Sequence, residues 1–321
     1  MTLCMGRSDL LRVLDVHACL DRLWDSFTAQ IADSTQRRLR VGLPDPGGGA
    51  GAAAARLAGL LPGIPAYTVA VEAPVFQERA ATRGVVCLHD LASGELLALL
   101  DSGTLGTWRT GLTAALGTHS LARFDAESLG IVGCDAQAAL LVQGLTRLRP
   151  ISGLIVADAD RKRAADFADR CATEFGLAVR VAGDAAAVAA ESDMVLTATG
   201  SGEPLLDRAD ARPGTHFTSI PGPGGADESG GRELPPELLR RSRVISDDAE
   251  LAAAVGVLTH AGEASGTLRG VLTGETAARE GADDITVYLP AGLPRQDLAL
   301  AWLAYRGASD ADVGTDVDFL T

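Results

Sequence analysis

Lysine is nearly absent. Among 28 basic residues only Lys162 is a lysine, and it lies in the surface-type run DADRKRAADFA. Any lysine nucleophile or Schiff base would have to be that residue. Basic patches are missing as well, and a net charge of −14 with a pI near 4.8 argues against nucleic acid or an anionic membrane as partner. No apolar run approaches the roughly 18 residues a membrane-spanning helix needs. The opening MTLCMGRSDLLRVLD has no apolar signal segment with a small-residue cleavage site, which predicts a cytoplasmic protein. The five cysteines (Cys4, Cys19, Cys87, Cys134 and Cys171) form no CxxC pair and no Cys/His ligand spacing. That spacing argues against disulfides and against a metal, and predicts reduced, mostly buried thiols.

What is present is apolar content: 47% of 321 residues, enough for two modest cores. From about Ser128 short apolar runs alternate with helical patterns: LGIVG, AQAALLVQGLTRL, GLIVAD, RKRAADFADRCATEF, LAVRVAG, DMVLTATG, and later THFTSI, RVISDD and DITVYL. Strands that are continuous apolar runs between helices predict a parallel sheet covered on both faces. The N-terminal part reads differently. An amphipathic helix around Leu10 to Ala32 precedes RLRVGL, a Gly/Ala-rich segment (PDPGGGAGAAAA) read as a flexible surface loop, and then AYTVAVEA, GVVCLHD and ELLALLD. The last two are joined by the turn ASGE, which predicts an antiparallel sheet. A long helix, roughly Thr110 to Arg123, follows, and a final helix RQDLALAWLAYRGA packs back on the N-terminal part. The expected fold is α/β: a Rossmann-type doubly wound parallel sheet domain over 117–292, plus an N-terminal α+β domain over 1–116 completed by 293–321.

The stretch GIVGCDAQAALL carries the chemistry. Gly133 follows a strand and permits a tight turn, Ala136 to Ala139 open a helix with small residues, and a helix N-terminus offers N–H groups to an anion. Asp158 ends the next strand, where a carboxylate accepts ribose hydroxyls and repels a 2′-phosphate, which favours NAD over NADP. Asp135, however, stands where a phosphate-facing glycine is expected. Two like charges about 4 Å apart at an effective dielectric near 20 cost roughly 4 kcal/mol, about a thousandfold in affinity. Asp135 could obstruct the pyrophosphate directly. It could cap its own helix, excluding the cofactor or pushing it aside, or it could turn to solvent and leave room for a shifted pyrophosphate.

Taken with TWRTGLTAALGTHSLAR, ESDMVLTATGSGEPLLD, GADESGGRELPPELLRRSRVISDD and DITVYLPAGLPRQDLALAWLAYRGA, the chain resembles the ornithine cyclodeaminase and μ-crystallin family over most of its length. The resemblance implies an NAD(H)-dependent oxidoreductase acting on a small imino, amino or keto acid by ketimine reduction, amino-acid dehydrogenation or cyclodeamination, with specialised metabolism as one setting. It implies a homodimer in which the N-terminal domain binds substrate and pairs, and a substrate held at the junction with the dinucleotide domain. Arg109 and Arg40 match arginines that grip the substrate carboxylate, a task suited to the guanidinium fork. Thr110 and the turn residues Gly133, Cys134, Asp135, Ala136 and Gln137 match the phosphate side of the cofactor site; Thr197 and Thr199 match its lining loop. Asp227 matches the acid that handles the substrate nitrogen, provided the residues around GPGG are an insertion; the other alignment puts Pro223 there and leaves no acid. Two more positions depart from the family: Thr68 stands in place of a lysine that binds the carboxylate and assists proton movement, and Pro290 in place of a serine. The departures leave open a relative without hydride transfer, acting as a ligand-binding or partner protein or through cofactor-independent chemistry.

Overall fold

Short runs that are apolar at every position can be strands only where both sheet faces are covered, and the second half of the chain meets that condition. The computed structural model describes residues 1–30, 37–44, 50–74, 82–207, 210–220 and 232–319. It divides into two units, one of Met1–Arg109 with Gly292–Thr321 and one of Thr110–Ala291. The chain passes between them inside a helix and at the YLPAG turn, seven residues and one residue ahead of the boundaries expected at 116/117 and 292/293.

The first unit holds β1 (Thr2–Met5), α1 (Arg7–Val13), α2 (Val16–Thr28), β2 (Arg37–Pro44), β3 (Ala50–Gly59), β4 (Ala66–Pro74), β5 (Thr82–Asp90), β6 (Leu96–Asp101) and the start of α3 (Ser102–Leu121). From the C-terminal part it takes α10 (Pro294–Ala311) and β15 (Thr315–Val317). Seven strands run in the order β15-β1-β6-β5-β4-β3-β2. All neighbours are antiparallel except β1 and β6, which pair in parallel. Val16, Cys19, Leu20, Leu23 and Phe27 form the apolar stripe of α2 and are buried; α2 packs on α10, and α10 on β3, β4 and β5. Truncating Leu23 or Phe27 there costs about 2–5 kcal/mol.

Three expectations change in this unit. The helix expected over Leu10 to Ala32 is two helices, because Asp15 stops the first and caps the second by accepting the Ala18 N–H. Ala50–Ala55 of the Gly/Ala-rich segment lie in β3, a strand paired with β2 and β4, rather than in a surface loop; its partners supply the ladder that its own side chains do not demand. The helix expected from Thr110 begins at Ser102. The strands at the two chain ends, β1 and β15, carry too little pattern in three or four residues to be read beforehand.

The second unit contains the rest of α3, then β7 (Ser128–Val132), α4 (Ala136–Leu148), β8 (Gly153–Ala157), α5 (Arg161–Phe175), β9 (Val179–Val181), α6 (Ala185–Glu191), β10 (Met194–Thr197) and β11 (His216–Ser219). It continues through α7 (Pro236–Arg241), β12 (Arg243–Ser246), α8 (Ala249–Ala254), β13 (Gly266–Thr267), α9 (Leu268–Leu272) and β14 (Thr286–Leu289). Eight parallel strands run in the order β13-β12-β14-β11-β10-β7-β8-β9. One core layer joins α3, α4 and α5 to the sheet; the other joins α6, α7 and α8 to its opposite face. Asp135, Asp160, Asp184 and Asp248 cap α4, α5, α6 and α8, each accepting a first-turn N–H. This is the Rossmann-type sheet expected from the alternation.

Candidate functional site

In the second unit β7 has β8 on one side and β10 on the other, so strand order reverses at β7/β10. A crevice for a ligand opens outside the carboxyl ends of the strands at such a point. The turn after β7 is shaped for close approach. Gly133 has φ +97, and a Cβ there would lie 2.6 Å from the Ala198 carbonyl oxygen and 3.0 Å from Thr199 Cγ2, so a side chain is refused by conformation and by space. Cys134 is buried, and its N–H donates to Asp158 Oδ2 at 2.8 Å. Burial, aided by Asp158 and Cys171 nearby, pushes its thiol up to about 12.

Asp158 is the hub of this turn. Besides Cys134 it accepts the Asp160 N–H at 2.8 Å and the Arg163 fork, Nε at 2.9 Å and a terminal nitrogen at 2.6 Å. These four bonds fill the lone-pair directions of a carboxylate, so any further donor to Asp158 would have to displace one of them. Arg163 can yield: its side chain is 55% exposed while that of Asp158 is 4% exposed. Burial pushes Asp158 up, but Arg163 and the two N–H donors outweigh it and leave the carboxyl below its ordinary value.

Asp135 does cap its helix, Oδ1 accepting the Ala138 N–H at 2.8 Å. Of the three positions left open by the sequence this is the second, with a qualification: the cap uses one oxygen and one N–H. Oδ2 is buried and makes no hydrogen bond. Burial raises this carboxyl to about 6, against the pull of the Ala138 and Gln137 N–H groups and of Arg163. Ala136 is exposed at the first turn of α4. A Cβ on Gly111 would lie 2.6 Å from both the Gln137 carbonyl oxygen and Leu140 Cβ. The bare glycine, one residue after Thr110, therefore lets α3 pack closely on the first turn of α4.

Thr197 ends β10 and is buried; Thr199 follows in the loop. That loop is anchored by Glu233, which was not singled out from sequence. Fully buried, it accepts the Thr199 N–H at 2.9 Å, the Thr199 hydroxyl at 2.6 Å and the Ser201 N–H at 3.0 Å. Burial raises its carboxyl despite these donors. On the far side of the sheet Tyr288 donates its hydroxyl to Asp247, whose other oxygen accepts the Ala291 N–H at 3.0 Å, fixing the YLPAG turn that contains Pro290.

In the first unit the charges gather around a residue that the sequence did not flag. Arg56 of β3 is 3% exposed and donates Nε to Asp297 at 2.7 Å and its two terminal nitrogens to Glu72 at 2.8 and 2.9 Å. Burial works against its charge, and Asp297 and Glu72 more than restore it. The other oxygen of Asp297 faces Arg109 at 3.3 Å, and Arg109 lies against Gly292, where a Cβ would stand 3.1 Å from its guanidinium. Gly292 has φ +78 and so suits this turn twice over. Thr68, Ala70 and Glu72 share one face of β4, with Arg56 opposite Ala70. Thr68 is buried beneath Gly59 and the first turn of α10, a Cβ on Gly59 lying 2.5 Å from its hydroxyl and 2.4 Å from the Pro294 carbonyl oxygen. The signal for Arg56 was a lone arginine in AAAARLAG, masked by an alanine run that does not read as a strand. Arg40 falls in β2, where the side chain is outside the described residues, and Asp227 and Pro223 are outside them altogether.

The profile of the ornithine cyclodeaminase/mu-crystallin family matches residues 71–312. The chain belongs to this family. Alanine dehydrogenase of Archaeoglobus fulgidus is 28% identical over 243 residues, 73% of either chain. A lysine cyclodeaminase structure that addresses recognition of L-lysine, L-ornithine and L-2,4-diaminobutyric acid covers 99% of this chain and 95% of its own, with 26% identity and a TM-score of 0.84. An archaeal alanine dehydrogenase dimer with bound NAD shares the fold, covering 99% of each chain at 23% identity with a TM-score of 0.82. In this ornithine cyclodeaminase/mu-crystallin family member the Gly133 turn is joined to the strand-end carboxylate of Asp158 through the Cys134 N–H, and Asp135 caps the helix that follows. Among the described residues, no group of three or more His, Cys, Asp or Glu could hold a metal ion, and no helix is long and apolar enough to cross a membrane.

Proposed function

We propose that this protein is an NAD(H)-dependent oxidoreductase acting on a small amino, imino or keto acid, working as a cytoplasmic homodimer. The observation that carries the reading is Asp158 brought directly under the Gly133 turn at the strand-order reversal, joined to it by the Cys134 N–H at 2.8 Å. Asp158 would accept the ribose hydroxyls, the first turn of α4 would receive the pyrophosphate, and Thr110, Gln137 and Thr199 would line the remainder, with Cys134 and Thr197 buried behind them. When bound, the nicotinamide supplies a hydride acceptor or donor for the substrate carbon that bears nitrogen.

The chain's own part is binding, orientation and proton handling. Arg109 is the carboxylate grip: its guanidinium is backed by Asp297 and packed on Gly292, so it is held in one orientation before substrate arrives. Arg40 is the second grip suggested by the family, and Asp227 the acid that protonates or deprotonates the substrate nitrogen. Thr68 has no charge to offer, so carboxylate binding and proton relay lack the cation that the family places on this strand. Ornithine cyclodeamination is accordingly the least favoured of the family chemistries here.

One observation favours a second reading, a family member without hydride transfer that binds a ligand or partner: Asp135 takes the Ala138 N–H that a phosphate oxygen would otherwise use. Titration with NADH and NADPH, followed by nicotinamide fluorescence and calorimetry, separates the two. The oxidoreductase predicts NADH binding in the micromolar range and NAD reduction with at least one small amino acid; failure of both dinucleotides to bind at millimolar concentration sinks it.

A further inference from the structure

We propose that Arg163, rather than Asp158, is the residue that meets the 2′ position of the adenosine ribose, so that the site takes NADPH alongside NADH. The proposal rests on the oxidoreductase reading above and reverses one expectation drawn from the sequence, that the strand-end acid excludes a 2′-phosphate. That rule holds for a carboxylate that faces the ribose. Here the carboxylate is turned inward: its side chain is 4% exposed, and it already accepts the Cys134 N–H, the Asp160 N–H and both prongs of the Arg163 fork. Beside the turn opens a cavity of about 590 Å³, a volume suited to part of a nucleotide. Cys134, Asp135 and Ala136 wall it on one side, and Lys162, Arg163 and Arg170 of α5 on the other; Asp158 is not one of its walls. The guanidinium that covers the carboxylate is therefore also the group presented to the cavity, on a side chain 55% exposed.

The acids around the cavity are engaged elsewhere. Asp160 accepts the Lys162 and Arg163 N–H groups as the cap of α5, Asp166 holds the Lys162 ammonium at 2.6 Å, and Asp135 caps α4. Arg170 lies about two turns along α5 from Arg163, its guanidinium 5.7 Å from the centre of the Phe167 ring. Arg163 and Arg170 are thus the cations that an anion entering the cavity meets. The fork that now grips Asp158, with Nε at 2.9 Å and a terminal nitrogen at 2.6 Å, suits two phosphate oxygens equally well. Moving to a 2′-phosphate, Arg163 exchanges one anion for another and releases lone pairs of Asp158 to a ribose hydroxyl. With NADH it gives up the carboxylate to water alone. Its exposure keeps the difference modest, because solvent screens both pairings.

The test is the Kd of NADH and of NADPH, by nicotinamide fluorescence and calorimetry, for wild type, Arg163→Ala, Arg163→Glu and Arg163→Lys. The ratio of the two is taken within each protein, so that a general weakening of the fold cancels. The wild-type Kd for NADPH is expected to be no more than about tenfold above that for NADH. Arg163→Ala is expected to shift the ratio toward NADH about two- to fivefold, and Arg163→Glu about tenfold or more, since it sets a second acid against the phosphate. Arg163→Lys keeps a cation in place and is expected to stay within about twofold of wild type. A wild-type ratio beyond tenfold in favour of NADH overturns the proposal while leaving the oxidoreductase standing, because Asp158 then reads the ribose. So does a ratio unmoved in Arg163→Glu, or one that moves as far in Arg163→Lys as in Arg163→Glu, which would trace the effect to shape rather than charge. If none of the four proteins binds either dinucleotide at millimolar concentration, the oxidoreductase reading falls and the proposal falls with it.

Discussion

Two clusters of opposite character hold the charges that matter. In the first unit Arg56, Glu72, Asp297 and Arg109 form a charge-balanced set joined by ion pairs, two cations against two anions, with Arg56 and Asp297 3% and 2% exposed and the Arg109–Asp297 contact at 3.3 Å an ion pair without a hydrogen bond. In the second, Asp158 shares an open turn with an Arg163 whose side chain is 55% exposed, and Asp135 buries an oxygen that has no partner. Balanced clusters of ion pairs hold a geometry and are damaged by losing any member. Open ones with a group left over are poised to exchange partners, which is what a ligand site requires. The difference also explains why Arg56 is buried rather than reaching for substrate: all three of its nitrogens are already engaged.

Removing Arg56 gives the sharpest break. Arg56→Met leaves Asp297 and Glu72 without their main counter-charge, and unfolding in urea is expected to show a loss of about 3–5 kcal/mol. A loss below about 1 kcal/mol would mean the set is not held by its ion pairs. Arg109 separates holding from gripping. Arg109→Ala is expected to lower kcat/KM for a carboxylate substrate about 10- to 100-fold, mainly through KM, with a smaller stability loss than Arg56→Met; equal stability losses with unchanged KM would make Arg109 purely structural.

The open turn is probed by pH. Folding raises Asp135 to about 6, so the folded state binds that proton more tightly than the unfolded chain, and stability falls as pH rises from about 4 through 6. Asp135→Asn, which preserves the cap, is expected to gain about 1–3 kcal/mol over wild type at pH 8 and nothing at pH 4, measured as denaturant midpoints across that range. Asp158 is shifted the other way; its contribution is present above its ordinary value and lost as pH falls through the lowered one. Arg163→Ala should weaken that acid-side loss by no more than about 1 kcal/mol, because Arg163 is exposed. The same variant frees lone pairs of Asp158 and should sharpen selection of NADH over NADPH about two- to fivefold; a shift toward NADPH would show that Arg163 does not shield Asp158.

Much of the second unit was legible because one local rule recurred. LGIVG, GLIVAD and DMVLTATG are apolar at successive positions and each is followed by a helical pattern, so parallel strands buried on both faces were the consistent outcome. Gly133 and Asp158 were legible for the same reason, as the end of one such strand and the end of the next. The first unit obeyed no single rule. Its β3 is largely alanine and glycine, and only pairing with β2 and β4 makes it a strand, so the arginine it carries was invisible as a site residue. Glu233 escaped notice because its partners, Thr199 and Ser201, lie more than thirty residues away in sequence.

By itself the sequence determined the fold class, the position of the turn and the family, since strand alternation, a glycine demanded by φ +97 and a strand-end carboxylate are local properties that a chain carries wherever it folds. Tertiary structure alone decided what the charges do. Whether Asp135 caps, faces solvent or meets a phosphate depends on burial and on which N–H groups surround it, and whether an arginine grips substrate or locks a neighbour depends on the acids that distant strands and helices bring within 3 Å of it. Charge is fixed by residue type, but its energy is set by dielectric and distance, and both arise only when remote segments pack.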